Sequence, residues 1–268
     1  MTTASRAEIG QARRVVVKVG SSSISGDNAG QIDPLVTALA ETFGRGAEVI
    51  LVSSGAIATG MPYLRLDSRP TDLATQQAAA AVGQNLLIYR YQESLARYRI
   101  VAGQVLLTAG DLENSTPRKN AERAIEKLLE LRILPIVNEN DTVATHEIRF
   151  GDNDRLASLV ATLVGADLLV LLSDVDALYT RPPLEPGAVR IDDVPYGDPL
   201  DGVIVGSVGT GIGTGGATTK VAAARHAADA GTGVLLTSTS QVDKALRGEQ
   251  VGTWFSPKVA AAPSTAQV

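Results

Sequence analysis

Short runs of branched aliphatic residues stop abruptly at small or polar ones, and this pattern restricts the chain more than any other feature. Arg14–Val19 (RVVVKV) ends at Gly20-Ser21-Ser22-Ser23, and Ala47–Val52 (AEVILV) at Ser53-Ser54-Gly55. Ile133–Val137 (ILPIV) ends at Asn138-Glu139-Asn140-Asp141, and Leu168–Leu172 (LLVLL) at Ser173-Asp174-Val175-Asp176. Such continuous apolar runs predict strands buried on both faces, as in parallel sheets. Ile100–Leu107 and Val234–Thr237 read as further strands. Helical segments lie between or after them: Ile32–Phe43, Thr71–Arg97, Ala121–Leu131, Arg155–Val164, Thr218–Ala230 and Val242–Arg247. Gly83, inside the longest, marks either a break or a close helix contact. Strands alternating with helices predict an α/β fold around a mostly parallel sheet, with ligands beyond the strands' carboxyl ends. Four polar clusters at such ends point to one shared site. Val143–Phe150 has the character of a hairpin over that site. Tyr179–Val203 reads as turns and short strands, and the chain from Val259 as a disordered tail.

Composition removes several chemistries. The chain has 268 residues, no cysteine and two histidines, His146 and His226. Disulfide frameworks, thiolate nucleophiles and multi-histidine metal centres are therefore excluded. No Ser lies in a nucleophile elbow, which argues against a serine hydrolase. The formal charge of −5 argues against a basic nucleic-acid groove. No 20-residue apolar span and no signal-like leader are present, so the expectation is a cytoplasmic protein with no membrane partner.

Lys18 sits inside an apolar strand, where an ammonium is costly to bury without a partner. It is either a charge on an exposed strand edge or terminus, or a point charge beside a transferred phosphoryl group. The Gly20–Ser23 run after it suits an anion nest of backbone N–H groups. Ser54 and Gly55 form either a simple turn and helix cap or a set of donors for an anionic ligand. Asp141, with Asp152, Asn153 and Asp154, either lies in two plain loops, one aspartate capping the helix from Arg155, or supplies acceptors for an ammonium, and the carboxylates also fit Mg2+. Asp174 is either an Asx-turn residue or a contact to nucleotide or metal. Gly209–Lys220 (GTGIGTGGATTK) contains a formal G-x-G-x-x-G, but it comes late in the chain and lacks the Walker Gly-Lys-Ser/Thr. What remains is either a flexible surface linker or a glycine-rich loop entering a helix, with Lys220 in its first turns, a phosphate site by dipole and charge. Phosphoryl transfer needs positioning and positive charge more than covalent chemistry. Lys18 and Lys220, brought together, would supply that charge. Neither histidine is assigned a role.

The fragments VVVKVGSSS (Val15–Ser23), VSSGAIATG (Val52–Gly60), PTDLATQQAAAAVGQ (Pro70–Gln84), PIVNENDTVAT (Pro135–Thr145), FGDNDRLASLVA (Phe150–Ala161) and GTGGATTK (Gly213–Lys220) resemble the amino acid kinase family over roughly residues 13–257. The likeness is to the branch that phosphorylates the side-chain carboxylate of L-glutamate with ATP and Mg2+, the first step of proline synthesis. It implies a three-layer αβα sandwich around a mainly parallel sheet of about eight strands. It implies one kinase domain over 1–258, with glutamate bound by about 13–165 and ATP by about 166–258. Lys18 and Lys220 match the catalytic lysines. Ser54, Gly55, Asp141, Asp152, Asn153 and Asp154 match acceptor-site positions. Gly20, Ser173, Asp174, Gly215, Gly216, Ala217, Thr218 and Thr219 match nucleotide-site positions, together with both lysines. The metal ligands are left unassigned.

The resemblance also implies proline as a feedback inhibitor and a homo-oligomer, dimer or tetramer. Three departures stand out. The expectation is a short form, without the C-terminal RNA-binding-like PUA domain of many relatives. Gly110–Ala121 differs from the usual Arg-Glu-Arg-rich loop, and Ala217 stands where Met is common. Acetylglutamate, aspartate, carbamate and nucleoside monophosphate kinases share the fold, and a non-catalytic ligand-binding regulator would too. The acids of Asn138–Asp141 and Asp152–Asp154 favour an acceptor with a free α-amino group.

Overall fold

The computed structural model describes residues 3, 5–144, 153–201, 203 and 216–259. The elements follow the predicted alternation. They are β1 (Arg14–Lys18), α1 (Ile32–Gly44), β2 (Glu48–Val52), α2 (Ala56–Gly60), α3 (Leu73–Ala96) and β3 (Ala102–Leu107). Next come α4 (Ala109–Glu113), α5 (Ser115–Glu130), β4 (Leu134–Glu139), α6 (Asn153–Leu163) and β5 (Leu168–Ser173). The short strands β6 (Leu178–Tyr179), β7 (Arg190–Ile191) and β8 (Asp193–Val194) precede α7 (Ala217–Asp229), β9 (Gly233–Ser238), α8 (Val242–Arg247) and β10 (Thr253–Phe255).

Eight strands form one sheet in the order β3-β4-β2-β1-β5-β9-β10-β8, and only the β9–β10 pair is antiparallel. Alternate residues of each strand point to opposite faces. Val15 and Val17 accordingly join a core with Leu35 and Leu39 of α1, Leu87 and Leu95 of α3, and Leu246 of α8. Val16 joins the opposite core with Ile125 of α5, Leu156 and Val160 of α6, and Ala224 of α7. Two apolar layers on one sheet make the expected three-layer sandwich.

The departures from expectation are local. Helix α5 begins at Ser115, not Ala121, and α4 precedes it. Thr108 starts α4 with a capping box, its hydroxyl accepting from the Asp111 N–H at 3.3 Å while the Asp111 carboxylate accepts from the Thr108 N–H at 2.7 Å. The hairpin expected at 143–150 and the tail from 259 fall almost wholly outside the described residues. Among the described residues no helix is long and apolar enough to cross a membrane.

Gly83 is a close contact and not a break, because α3 runs unbroken through it. A Cβ there would overlap the Ala56 carbonyl oxygen and stand 2.8 Å from the Gly60 nitrogen. A Cβ on Gly60 would in turn overlap the Ala79 carbonyl oxygen. Helices α2 and α3 therefore touch backbone to backbone, with Ala56, Ile57, Ala79 and Ala80 around the contact. Neither backbone can relax as a side-chain tip would. Gly83→Ala is expected to destabilise the fold by about 3 kcal/mol, the upper part of the overpacking range, read as a lower urea midpoint at unchanged m-value.

Candidate active site

The four strands with polar ends, β4, β2, β1 and β5, are consecutive in the sheet. Their carboxyl ends therefore open side by side. Lys18 closes β1 between Val52 of β2 and Leu171 of β5 and is 2% exposed. A strand paired on both sides rules out the exposed-edge reading. Beyond Lys18 the chain turns sharply, with the Ser23 N–H donating to the Gly20 carbonyl at 3.3 Å and the Ile24 N–H to that of Ser21 at 3.2 Å. Gly20 lies close to the ammonium: a Cβ built on it would be 3.9 Å from Lys18 Nζ.

Asp154 stands in the first turn of α6 and is fully buried. Lys18 Nζ forms an ion pair with its Oδ1. Lys220 Nζ, from the first turn of α7, donates to its Oδ2 at 3.0 Å, and Thr219 Oγ1 lies 3.2 Å from the same oxygen. Lys220 is itself 7% exposed. Two ammonium groups from distant parts of the chain thus rest on the two oxygens of one carboxylate. Their sum is one net positive charge in a buried site, where an anion is held more strongly than in water. Each ammonium carries three N–H groups, so binding Asp154 does not by itself exhaust either one.

The β5 end joins this centre through the serine turn. Asp174 accepts hydrogen bonds from Ser22 Oγ at 2.8 Å and Ser23 Oγ at 3.0 Å. Ser173 pairs in register with Ser238 of β9, and its hydroxyl accepts from the Val175 N–H at 3.4 Å. Gly216 caps α7, followed by Ala217 and the exposed Thr218. Thr219 Oγ1 also lies 2.8 Å from the Gly216 carbonyl oxygen. Gly215 lies outside the described residues.

On the opposite side of β1, Gly55 adopts φ 97°, a left-handed turn that glycine enters without a Cβ penalty. It leads from half-buried Ser54 into α2 and packs on Ser21, which a Cβ would meet at 3.4 Å. Asn153 donates to the Ser53 carbonyl at 2.6 Å and to Asn138 Oδ1 at 2.8 Å. Asp141 is half-buried in the turn after β4. The structure therefore gathers Ser54, Gly55 and Asn153 around the ends of β2 and β4. Asp154, next to Asn153 at the start of α6, lies between the lysines. Asp152 and His146 are outside the described residues, and His226 is exposed on α7.

The residue chemistry missed in the sequence lies on α3. Tyr91 is fully buried with its hydroxyl 2.9 Å from Ser53 Oγ, and burial pushes its phenol pKa up. Gln84 meets Asn138 and the Glu139 carbonyl, and Gln77 donates to the Ala144 carbonyl at 3.3 Å. Residues 77, 84 and 91 are seven apart, so they share one face of the helix. That spacing of polar groups on an apolar helix was the available signal.

A sequence profile of the amino acid kinase family matches residues 13–238. A glutamate 5-kinase of Clavibacter michiganensis subsp. michiganensis is 78% identical over 96% of this chain and 100% of its own length. A glutamate 5-kinase of Thermobifida fusca is 56% identical over 98% of this chain and 69% of its own length. Among solved structures, carbamate kinase from Giardia lamblia bound to AMP-PNP aligns with a TM-score of 0.67 at 16% identity, over 93% of this chain and 100% of that one. This last likeness concerns the fold alone. With the profile covering most of its length and its sheet ordered as described, the chain belongs to the amino acid kinase family.

Proposed function

We propose that the protein transfers the γ-phosphoryl group of ATP, with Mg2+, to the side-chain carboxylate of L-glutamate, giving L-glutamyl 5-phosphate and ADP at the entry to proline synthesis. The observation that carries this reading is the shared carboxylate: Lys18 and Lys220 meet on Asp154 at the mouth of the sheet. Curated relatives up to 78% identical, named glutamate 5-kinases, support the choice of acceptor.

The residues fit a triphosphate. Lys18, Gly20, Gly216, Ala217, Thr218, Thr219 and Lys220 supply ammonium charge and the amino end of α7, and Ser173 and Asp174 flank them from β5. When bound, ATP supplies the activated phosphoryl group and Mg2+ screens its charge. One or two carboxylates beside phosphate oxygens suffice to hold Mg2+. On this reading Lys18 and Lys220 neutralise charge on the migrating group from opposite sides, while Asp154 fixes their separation. Pre-placed charge of this kind needs no reorganisation during the reaction. Ser54, Gly55, Asp141, Asp152 and Asn153 orient the acceptor in line. A carboxylate oxygen of glutamate forms the new P–O bond as the bond to the β–γ bridging oxygen breaks. The acceptor is already anionic, so no residue has to remove a proton.

The same reading assigns glutamate to residues 13–165 and ATP to 166–258, since the acceptor groups lie on β2, β4 and α6 and the phosphate groups on β5 and α7. Lys18 on β1 serves both. Proline inhibition at the acceptor site, homo-oligomeric assembly and a cytoplasmic location belong to it through the family resemblance. The test is coupled ADP release with L-glutamate, N-acetyl-L-glutamate, L-aspartate and carbamate as acceptors. The expected result is turnover with L-glutamate far above the others. Absence of glutamate-dependent ADP release from folded protein with Mg2+ present sinks the reading.

A further inference from the structure

Three buried or half-buried amides lie in a line beneath the acceptor side. Asn153 Nδ2 donates to Asn138 Oδ1 at 2.8 Å, and Asn138 Nδ2 donates to Gln84 Oε1 at 3.2 Å. Gln84 Oε1 also accepts from Gln104 Nε2 at 3.3 Å. An amide side chain looks alike when flipped, so its direction has to be fixed by neighbours. Here each amide also meets a main-chain group that works in one sense only. Asn153 Nδ2 donates to the Ser53 carbonyl at 2.6 Å; Asn138 Oδ1 accepts from the Glu139 N–H at 2.9 Å; Gln84 Nε2 donates to the Glu139 carbonyl at 3.2 Å. The direction of the whole line is thereby set, and Gln84 terminates it from α3.

We propose that Gln84 is a positioning residue that sets acceptor selectivity by fixing this amide relay, so that Asn153 has only a carbonyl oxygen left to offer a ligand. Both amide hydrogens of Asn153 are committed, one to Ser53 and one to Asn138. A carbonyl oxygen accepts from an ammonium and gains nothing from a second carboxylate. The site is therefore biased toward an acceptor with an α-amino group and against its deaminated analogue. This inference rests on the reading of the protein as a glutamate-phosphorylating enzyme. Gln84 does not touch the acceptor; it acts through Asn138 and Asn153.

The test replaces Gln84 with methionine, which keeps the length of the side chain and removes both hydrogen-bonding groups. Asn138 Nδ2 then loses its acceptor, and an unsatisfied buried group is relieved only if the amides turn. The expected result for Gln84→Met is a rise of about tenfold or more in KM for L-glutamate, with kcat and KM for ATP within about threefold of wild type. The inhibition constant of glutarate, which lacks the amino group, is expected to move less than about threefold, because it draws nothing from the Asn153 oxygen. Equal rises for glutamate and glutarate would mean that Gln84 merely props up the pocket, and an unchanged KM would remove it altogether. Either result overturns the proposal. If Gln84→Met does not fold, Gln84→Leu likewise removes the acceptor for Asn138 Nδ2; its KM for L-glutamate should rise as well, and no rise overturns the proposal. Wild-type protein with no glutamate turnover would sink the functional reading instead. The relay is then read by calorimetry as the binding preference for L-aspartate over succinate, which Gln84→Met should abolish; a preference equal in both proteins, or in neither, overturns it.

Discussion

Lys220→Ala is expected to fold normally and to lose about a hundredfold to a thousandfold in kcat, the usual cost of removing one pre-placed charge from a transition state. Its ammonium sits in the first turn of α7 on Asp154, so alanine removes a donor without disturbing the helix, in which alanine is the most favourable residue. On the proposed reading the loss should fall on kcat, with KM for L-glutamate nearly unchanged, since Lys220 faces the transferred phosphoryl group. Steady-state kinetics at saturating glutamate, with circular dichroism to establish the fold, make the measurement. Near-normal kcat would take Lys220 out of the phosphoryl path.

Asp154→Asn is expected to be as damaging to rate and worse for stability. The substitution leaves two buried ammonium groups facing an amide, with their shared counter-charge gone. Breaking a buried ion pair from one side costs about 3–5 kcal/mol. The lysines will separate or draw in an anion. The thermal midpoint of the variant should therefore fall, and it should recover more on adding ATP than wild type gains, because phosphate oxygens replace the missing carboxylate. An equal gain from nucleotide in both proteins would show that Asp154 does not hold the lysines apart from their ligand.

Much of this architecture was legible in the sequence for a specific reason. Strands buried on both faces appear as unbroken apolar runs, so β1, β2, β4 and β5 announced themselves, and the polar residues that end them are the ones lining the site. Lys18 was legible because a charge in such a run needs a partner. The identity of the partner was not: Asp154 lies far along the chain, and only the parallel pairing of β1 with β5 and the docking of α6 bring it to Lys18. The start of α5 was hidden by Ser115-Thr116-Pro117, which reads as a turn, although proline is tolerated in the first turn of a helix. Strand β10 has three residues and pairs antiparallel, so it leaves no periodic trace. Gln84 and Tyr91 carried only the spacing of polar groups on α3 as a signal, because their meaning depends on α3 lying against the ends of β2 and β4.

Because β1 is flanked by β2 on one side and β5 on the other, it is the hinge line between two inventories of side chains that share little else. On the proposed reading, substitutions on the β2–β4 flank can redraw which small molecule is accepted while the ATP-facing flank stays as it is. A scaffold partitioned in this way is suited to diversification: new enzymes can arise from it by editing half a pocket, with the expensive half inherited intact.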